Sequence, residues 1–262
     1  MALPRFLVSN LPEQGAVELD ASESHHASRV LRMNPGDPCV IFDGQGYQAS
    51  ATIASVDKKS TKVEYSSRHF EPRDHNDQLH VAVAMPKGDR QRNVIEKLVE
   101  LGVDRLTLID TNRSVAKFDQ SGLEKLERYT IEACKQSQRN RLMKIEPLTS
   151  WESWIADRKT MDFSCSETWV LHPHSNTPTN PPQARRSSIR EFLQHSNRPS
   201  GTSKKSILFA VGPEGGFTEE EIVQAIQAGL GILDLGERIL RVETAVSVAA
   251  VLGTVSLNST PV

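Results

Sequence analysis

The sequence predicts an α/β protein with a parallel sheet, preceded by a small β-rich unit, and three observations predict it. Short strand-like runs crowd the first 74 residues. From Leu79 onward, apolar runs of strand length alternate with helical patterns, which implies βαβ units. Within that second part, Ile207-Leu208-Phe209-Ala210 leads into Val211-Gly212-Pro213-Glu214-Gly215-Gly216-Phe217 and then into the helix start Thr218-Glu219-Glu220-Glu221. A strand, a glycine loop and a capping box in succession mark the sheet edge where α/β proteins collect ligands.

Taken in order, Arg5 to Val8 and Ala16 to Leu19 have strand length. Asp20-x-x-Glu23 is a capping box that predicts a helix through Arg32, stopped by Asn34-Pro35-Gly36-Asp37. Cys39 to Phe42 and Tyr47 to Ile53 flank the turn Asp43-Gly44-Gln45-Gly46, a hairpin pattern, and Thr61 to Tyr65 adds a further strand. Short strands at this spacing predict a small barrel. Glu71 to Gln78 is polar and reads as a linker, so two domains are expected, 1–74 and 75–262.

The second domain opens with a buried-type strand, Leu79 to Met85. A helix from Asp89 to Leu101 follows, then the strand Arg105 to Ile109 and a helix from Gly122 to Arg139. Further strands are expected at Trp169 to Leu171, Ile207 to Val211 and Leu230 to Leu235, and a small-residue helix at Ala245 to Gly253. The stretch 176–205 is rich in Pro, Ser and Arg and reads as a surface insertion with at most one helix, around Ser188 to His195.

With 31 basic and 33 acidic residues, total charge does not announce a nucleic-acid binder, but its distribution is uneven. Lys87 to Lys144 carries 13 basic and 9 acidic residues, whereas Ser206 to the end carries 2 and 7. Such segregation allows a basic face on a near-neutral chain. The three cysteines, Cys39, Cys134 and Cys165, lack C-x-x-C spacing and predict reduced thiols. No apolar run reaches membrane-spanning length and no signal-peptide core is evident, so a soluble cytoplasmic protein is expected.

Several chemistries find no support. The glycine spacing at Gly212 to Gly216 matches neither the dinucleotide fingerprint nor the P-loop, and the loop has no lysine for a phosphate. His25-His26 and His172-x-His174 lack zinc-site spacing, so no metal is expected. No nucleophile elbow occurs. Positive evidence for a site comes from Leu235-Gly236-Glu237-Arg238-Ile239-Leu240-Arg241-Val242-Glu243-Thr244, where two arginines and a glutamate enter a small-residue helix that packing alone would leave apolar. Lys87-Gly88-Asp89-Arg90 and Thr111-Asn112-Arg113-Ser114 also follow strands, at the same sheet edge.

His25-His26-x-x-Arg29-Val30-Leu31-Arg32 with Pro35-Gly36-Asp37, Lys97-x-x-Glu100-Leu101-Gly102-Val103, Thr111-Asn112-Arg113-Ser114, Gln136-Ser137-x-Arg139 and the two glycine-bearing stretches occur in one order. In that order they resemble the ribosomal RNA small subunit methyltransferase E family, of the SPOUT class, over almost the whole chain. The resemblance implies an N-terminal PUA-like RNA-binding barrel and a C-terminal α/β domain with a deep trefoil knot, assembled as a homodimer. It implies S-adenosylmethionine as cofactor and methylation of N3 of a uridine in the decoding region of 16S ribosomal RNA of the small ribosomal subunit. The implied cofactor pocket comprises Leu171, His172, Val211, Gly212, Pro213, Glu214, Gly215, Gly216, Leu235, Gly236, Ile239, Leu240, Arg241 and Thr244.

Uridine N3 is a weakly acidic imide, so a nearby cation would stabilise the developing anion and a carboxylate could take the proton. Arg113 and Arg241 are the candidates for the first role and Glu243 for the second. Arg5, His25, Arg29, Arg32, Lys87, Arg90, Arg113 and Arg139 are the candidate RNA contacts. Two alternatives stay open at this point: a non-catalytic RNA-binding assembly factor, and a SPOUT methyltransferase acting on another RNA.

Overall fold

A computed structural model describes residues 3–57, 60–74, 77–157, 167–173, 185–196 and 205–257. The chain forms two compact units, Met1–Asp74 with Ile131–Leu142, and His75–Thr130 with Met143–Val262.

In the first unit, strands β1 (Arg5–Leu7), β2 (Gly15–Leu19), β3 (Pro38–Phe42), β4 (Tyr47–Val56) and β5 (Thr61–Tyr65) lie in the order β1-β3-β4-β5-β2, with β6 (His69–Phe70) paired to β4. β1 runs parallel to β3 and the other pairs are antiparallel. Inward residues alternate along β5, where Thr61, Val63 and Tyr65 are buried. Phe6 from one end of this order and Leu19 from the other share a core with Ile41, Ile53 and Val63, so the sheet curls around one interior as a small barrel.

Between β2 and β3 the helical segment differs from the expected single helix. Helix α1 (Ala21–His25) gives way to a π-helical turn, His26–Val30. Asp20 caps α1 as expected, accepting from the Glu23 N–H at 2.8 Å, but the buried Glu23 carboxylate pairs with Lys135. That pair, Arg139 Nε with Asp74 Oδ1 at 2.7 Å, and Asn140 bonded to Arg5 attach Ile131–Leu142 to this unit. A single cut near residue 74 cannot express that grouping.

Among the described residues the second unit is a seven-stranded parallel sheet covered on both faces. Its strands are β7 (Gln78–Val83), β8 (Arg105–Asp110), β9 (Lys144–Ser150), β10 (Glu167–Leu171), β11 (Arg186–Ser188), β12 (Ser206–Val211) and β13 (Gly231–Asp234), in the order β11-β13-β10-β12-β7-β8-β9. Helices α2 (Arg90–Glu100), α3 (Gln120–Ser137), α4 (Trp151–Asp157), α5 (Ile189–Ser196), α6 (Glu219–Gln227) and α7 (Val242–Leu257) connect or follow them. The central strands β12 and β7 are buried along nearly their whole length, as a doubly covered parallel sheet requires. On one face Ala82, Ala84, Leu208 and Ala210 pack with Trp151 and Trp154 of α4 and Ile222, Ala225 and Ile226 of α6. On the other, α7 packs against β7, β12 and α2. A Cβ on Gly253 would stand 2.3 Å from Leu79 Cδ1, so glycine is what lets α7 lie this close to the sheet.

Beyond the two-residue β6, two strands of this sheet escaped the sequence. β9 contains Pro147 and lies at the sheet edge, where a missing N–H leaves no ladder bond unmade, while the ladder slips between Thr107 and Ile109. β11 is the opposite edge and only three residues long. It lies with α5 inside the expected 176–205 insertion, most of which falls outside the described residues.

Candidate functional site

β13, β10 and β12 are neighbours in the sheet, and their carboxyl ends, Asp234, Leu171 and Val211, open onto one cleft. The backbone ladder continues past the ends of β10 and of β7, with His172 N donating to Leu233 O at 3.1 Å and Ala84 N to Val211 O at 3.0 Å. The cleft is lined by Leu171, His172, Pro173, Val211, Gly212, Pro213, Glu214, Gly216, Phe217, Asp234, Leu235, Gly236, Arg238, Ile239, Leu240, Val242 and Ala245. Its walls are mainly apolar, with two carboxylates and one arginine among the ionisable groups.

The loop after β12 is built from its own residues and clamped from a distance. Gly216 N donates to Pro213 O at 2.8 Å to close a turn, and Gly216 takes φ of +69°, a conformation that favours glycine. Phe217 folds back so closely that a Cβ on Gly212 would lie 2.9 Å from its ring, which also packs on Trp151. α6 then begins with the full capping box: Thr218 Oγ1 accepts from Glu221 N at 3.3 Å, and Glu221 Oε2 accepts from Thr218 N at 2.7 Å.

Glu221 does a second task that its spacing does not announce. Its other oxygen, Oε1, accepts from the backbone N–H of Asn112 at 2.8 Å, and the residue is 1% exposed. The Asn112 loop is itself closed by Thr111 N donating to Ser114 Oγ and Ser114 N to Thr111 O, each at 2.9 Å. From this loop Arg113 Nη1 donates to Gly215 O at 2.7 Å. One buried carboxylate and one arginine therefore bind the loop after β8 to the loop after β12. Arg90 adds an ion pair to Glu214 at 2.7 Å, with both side chains partly exposed.

The loop after β13 is more open. Asp234 Oδ1 accepts from Gly236 N at 2.8 Å, Gly236 has φ of +107°, and the Arg241 carbonyl accepts from Thr244 N and Ala245 N to start α7. Between those ties Ile239 is 96% exposed. A Cβ on Gly216 or Gly236 would meet no protein atom within 4 Å, so open space remains beside both cleft glycines.

Of the residues expected to hold a cofactor, Leu171, His172, Val211, Gly212, Pro213, Glu214, Gly216, Leu235, Gly236, Ile239 and Leu240 line the cleft. Gly215, Arg241 and Thr244 do not: Gly215 faces the Arg113 side chain, and Arg241 and Thr244 are exposed. Sequence reasoning passed over Pro173, Phe217, Asp234, Arg238, Val242 and Ala245. Phe217, Arg238 and Val242 stand within the quoted motifs and could have been found there.

The catalytic candidates are placed less uniformly, and none of them is in the cleft lining. Arg113 is occupied with the Gly215 carbonyl, which makes it a loop-holding group. Arg241 is exposed, and Glu243, in the first turn of α7, has a buried Oε2 with no hydrogen-bond partner.

Two expected RNA contacts need correction. Arg5 is 9% exposed, bonded to Gln48 Oε1 at 3.2 Å and to Asn140, with burial holding its pKa down. Arg139 is 3% exposed and paired with Asp74. A guanidinium enclosed in this way serves the fold and offers no charge to an outside phosphate. His25, Arg29, Arg32 and Lys87 are exposed, and Arg90 is half-buried.

Among the described residues no three His, Cys, Asp or Glu side chains gather as a metal site, while Cys165 and His174 lie outside those residues. Nor, among the described residues, is any helix long and apolar enough to cross a membrane.

Comparison with known proteins adds to this geometry. Residues 73–253 match the RNA methyltransferase domain family and residues 19–64 the RNA methyltransferase PUA domain family. The chain is 30% identical over 239 residues to the ribosomal RNA small subunit methyltransferase E of Bacillus subtilis, covering 90% of this chain and 88% of that one. With its namesake from Synechocystis sp. it shares 31% over 246 residues, covering 91% and 73%. The crystal structure of the Neisseria gonorrhoeae ribosomal RNA small subunit methyltransferase E bound to S-adenosyl methionine superposes with a TM-score of 0.76 at 26% identity, covering 95% of each chain. A candidate methyltransferase of Legionella pneumophila with bound cofactor SAM superposes at 0.81 with 27% identity, covering 96% of this chain and 97% of that one.

Proposed function

This chain belongs to the ribosomal RNA small subunit methyltransferase E family, and from that membership we propose that it methylates N3 of a uridine in the decoding region of 16S ribosomal RNA. S-adenosylmethionine is the methyl donor in this reading, and the chain works in the cytoplasm as a homodimer on the small ribosomal subunit. The observation that carries the proposal is the apolar cleft at the carboxyl ends of three adjacent parallel strands, edged by two glycine loops. The exposed Val251 and Val255, one turn apart on α7, supply an apolar face for a second copy. The SPOUT knot belongs to the same reading, as does a domain boundary after residue 74, with Ile131–Leu142 grouped with the first domain.

The cleft residues suit this cofactor. Apolar side chains such as Leu171, Leu235, Ile239 and Leu240 offer a dry wall for an adenine ring, and the space beside Gly216 and Gly236 admits a ligand against backbone. Among the described residues the lining holds no lysine, which fits a ligand without phosphate, and the carboxylates of Glu214 and Asp234 favour a cationic one. Bound there, the cofactor supplies an electrophilic methyl on a sulfonium, so the chain's task is to align N3 and manage its proton. Arg241 is the exposed cation for the developing imide anion. Glu243, with an unpartnered buried oxygen, is the proton acceptor. Arg113 contributes by holding the Gly215 carbonyl.

The test is to incubate the purified chain with small subunits lacking the modification and methyl-labelled S-adenosylmethionine, then map the label by nuclease digestion and mass spectrometry. Label at N3 of one decoding-region uridine is expected. Label elsewhere, or none, would overturn the substrate assignment.

A further inference from the structure

We propose that the turn Arg29-Val30-Leu31-Arg32 is an apolar wedge that enters the substrate RNA and holds a base step open, with the two arginines on phosphates to either side. The proposal rests on the reading of this chain as an RNA methyltransferase and names the part of the first unit that deforms the RNA.

Val30 and Leu31 are 60% and 41% exposed, two consecutive apolar side chains in solvent on a unit whose other exposed large apolar residues, Leu3 and Phe70, stand singly along the chain. They are not exposed for want of order. Leu31 N donates to His26 O and Met33 N to Ala27 O, each at 3.0 Å, and both Ala27 and Met33 are buried in that core. Ser28 Oγ donates to Ser24 O at 2.8 Å, and Asn34 N to Asp37 Oδ2 at 2.7 Å. The tip is thus displayed from a fixed base.

The backbone here is unusual in two successive ways. His26–Val30 is a π-helical turn, a form that recurs at functional sites, and Arg32 has φ of +54°, a left-handed conformation that a side chain adopts only where its surroundings impose it. Electrostatics selects the partner. Ser24 to Gly36 contains no acidic residue, while His25, Arg29 and Arg32 are exposed. The nearest acids along the chain are engaged, Glu23 with Lys135 and Asp37 with the Asn34 N–H. Paired apolar side chains between cations match the means by which proteins part stacked bases while gripping the backbone. A methyltransferase that must reach N3 needs its uridine out of the stack, so opening a step nearby serves the reaction.

Salt dependence separates a wedge from a phosphate grip. With the full-length protein, S-adenosylmethionine and a target RNA carrying 2-aminopurine beside the uridine, affinity and fluorescence are followed across a salt series. The variant Val30→Ser with Leu31→Ser should bind about 10-fold more weakly at every salt concentration, with an unchanged log–log slope, and lose the fluorescence rise of unstacking. Leu31→Phe, which keeps an apolar face, should retain both. Arg32→Gly, compatible with φ of +54°, should instead flatten the slope by about 0.7. Far-UV circular dichroism and a thermal unfolding transition matching the parent's certify that each variant is folded. Parent-like affinity and fluorescence in the Ser variant overturn the wedge, as does binding of the parent to anionic phospholipid vesicles in preference to RNA. A parent that neither binds nor methylates the RNA defeats the underlying reading instead.

Discussion

The two glycine loops that edge the cleft are built in different ways. Val211 to Phe217 is secured from outside itself: Glu221 binds its exit and the Asn112 loop at once, Arg113 holds the Gly215 carbonyl, and Phe217 is pinned against Gly212 and Trp151. Leu235 to Arg241 is tied at its ends by Asp234 and the start of α7, and in between it leaves Ile239 almost wholly in solvent. The first loop is shaped before a ligand arrives. The second would gain its burial from the proposed cofactor, because an apolar side chain at a cleft rim is stabilised when something covers it.

The contrast breaks most severely at Glu221. Glu221→Ala leaves the N–H groups of Thr218 and Asn112 without their acceptor and should cost about 3 kcal/mol in denaturant unfolding, with weakened cofactor binding as the loop loosens. Glu221→Gln keeps one acceptor oxygen and should cost about 1 kcal/mol. A Glu221→Ala protein as stable as its parent would show that the clamp does not shape this loop.

At the other loop the effect should fall on binding and leave stability alone. Ile239→Ser removes a side chain that touches little in the free protein, so unfolding free energy should change by less than about 0.5 kcal/mol. Calorimetry should nonetheless show the S-adenosylmethionine Kd rising about 5-fold, from apolar area no longer covered. Lost stability with unchanged affinity would reverse the roles assigned to the two loops.

What the sequence disclosed follows the same division between local and distant. Strand, glycine turn and capping box between Ser206 and Glu221 are short-range events, and the structure holds all three. Glu221 is legible as a capping residue, but its bond to Asn112 spans 109 positions and no spacing rule foretells it. Arg5 and Arg139 were misread for a related reason. A surface arginine and one enclosed with Asn140 or Asp74 look alike until the fold brings distant residues together. β9 was illegible because Pro147 suppresses the strand pattern at the one place, a sheet edge, where proline is tolerated. The π turn before Arg32 likewise carries a helical sequence pattern, and only the observed backbone departs from it.

Hydrogen exchange of the free protein and of the protein saturated with S-adenosylmethionine tests the account most directly, since amide protection reads each loop separately. Amides from Val211 to Phe217 should already be slow without ligand, and the protection gained on binding should concentrate at Leu235 to Leu240. No change at either loop, or protection gained mainly at Val211 to Phe217, would contradict a cofactor cleft with one loop formed in advance and one completed by its ligand.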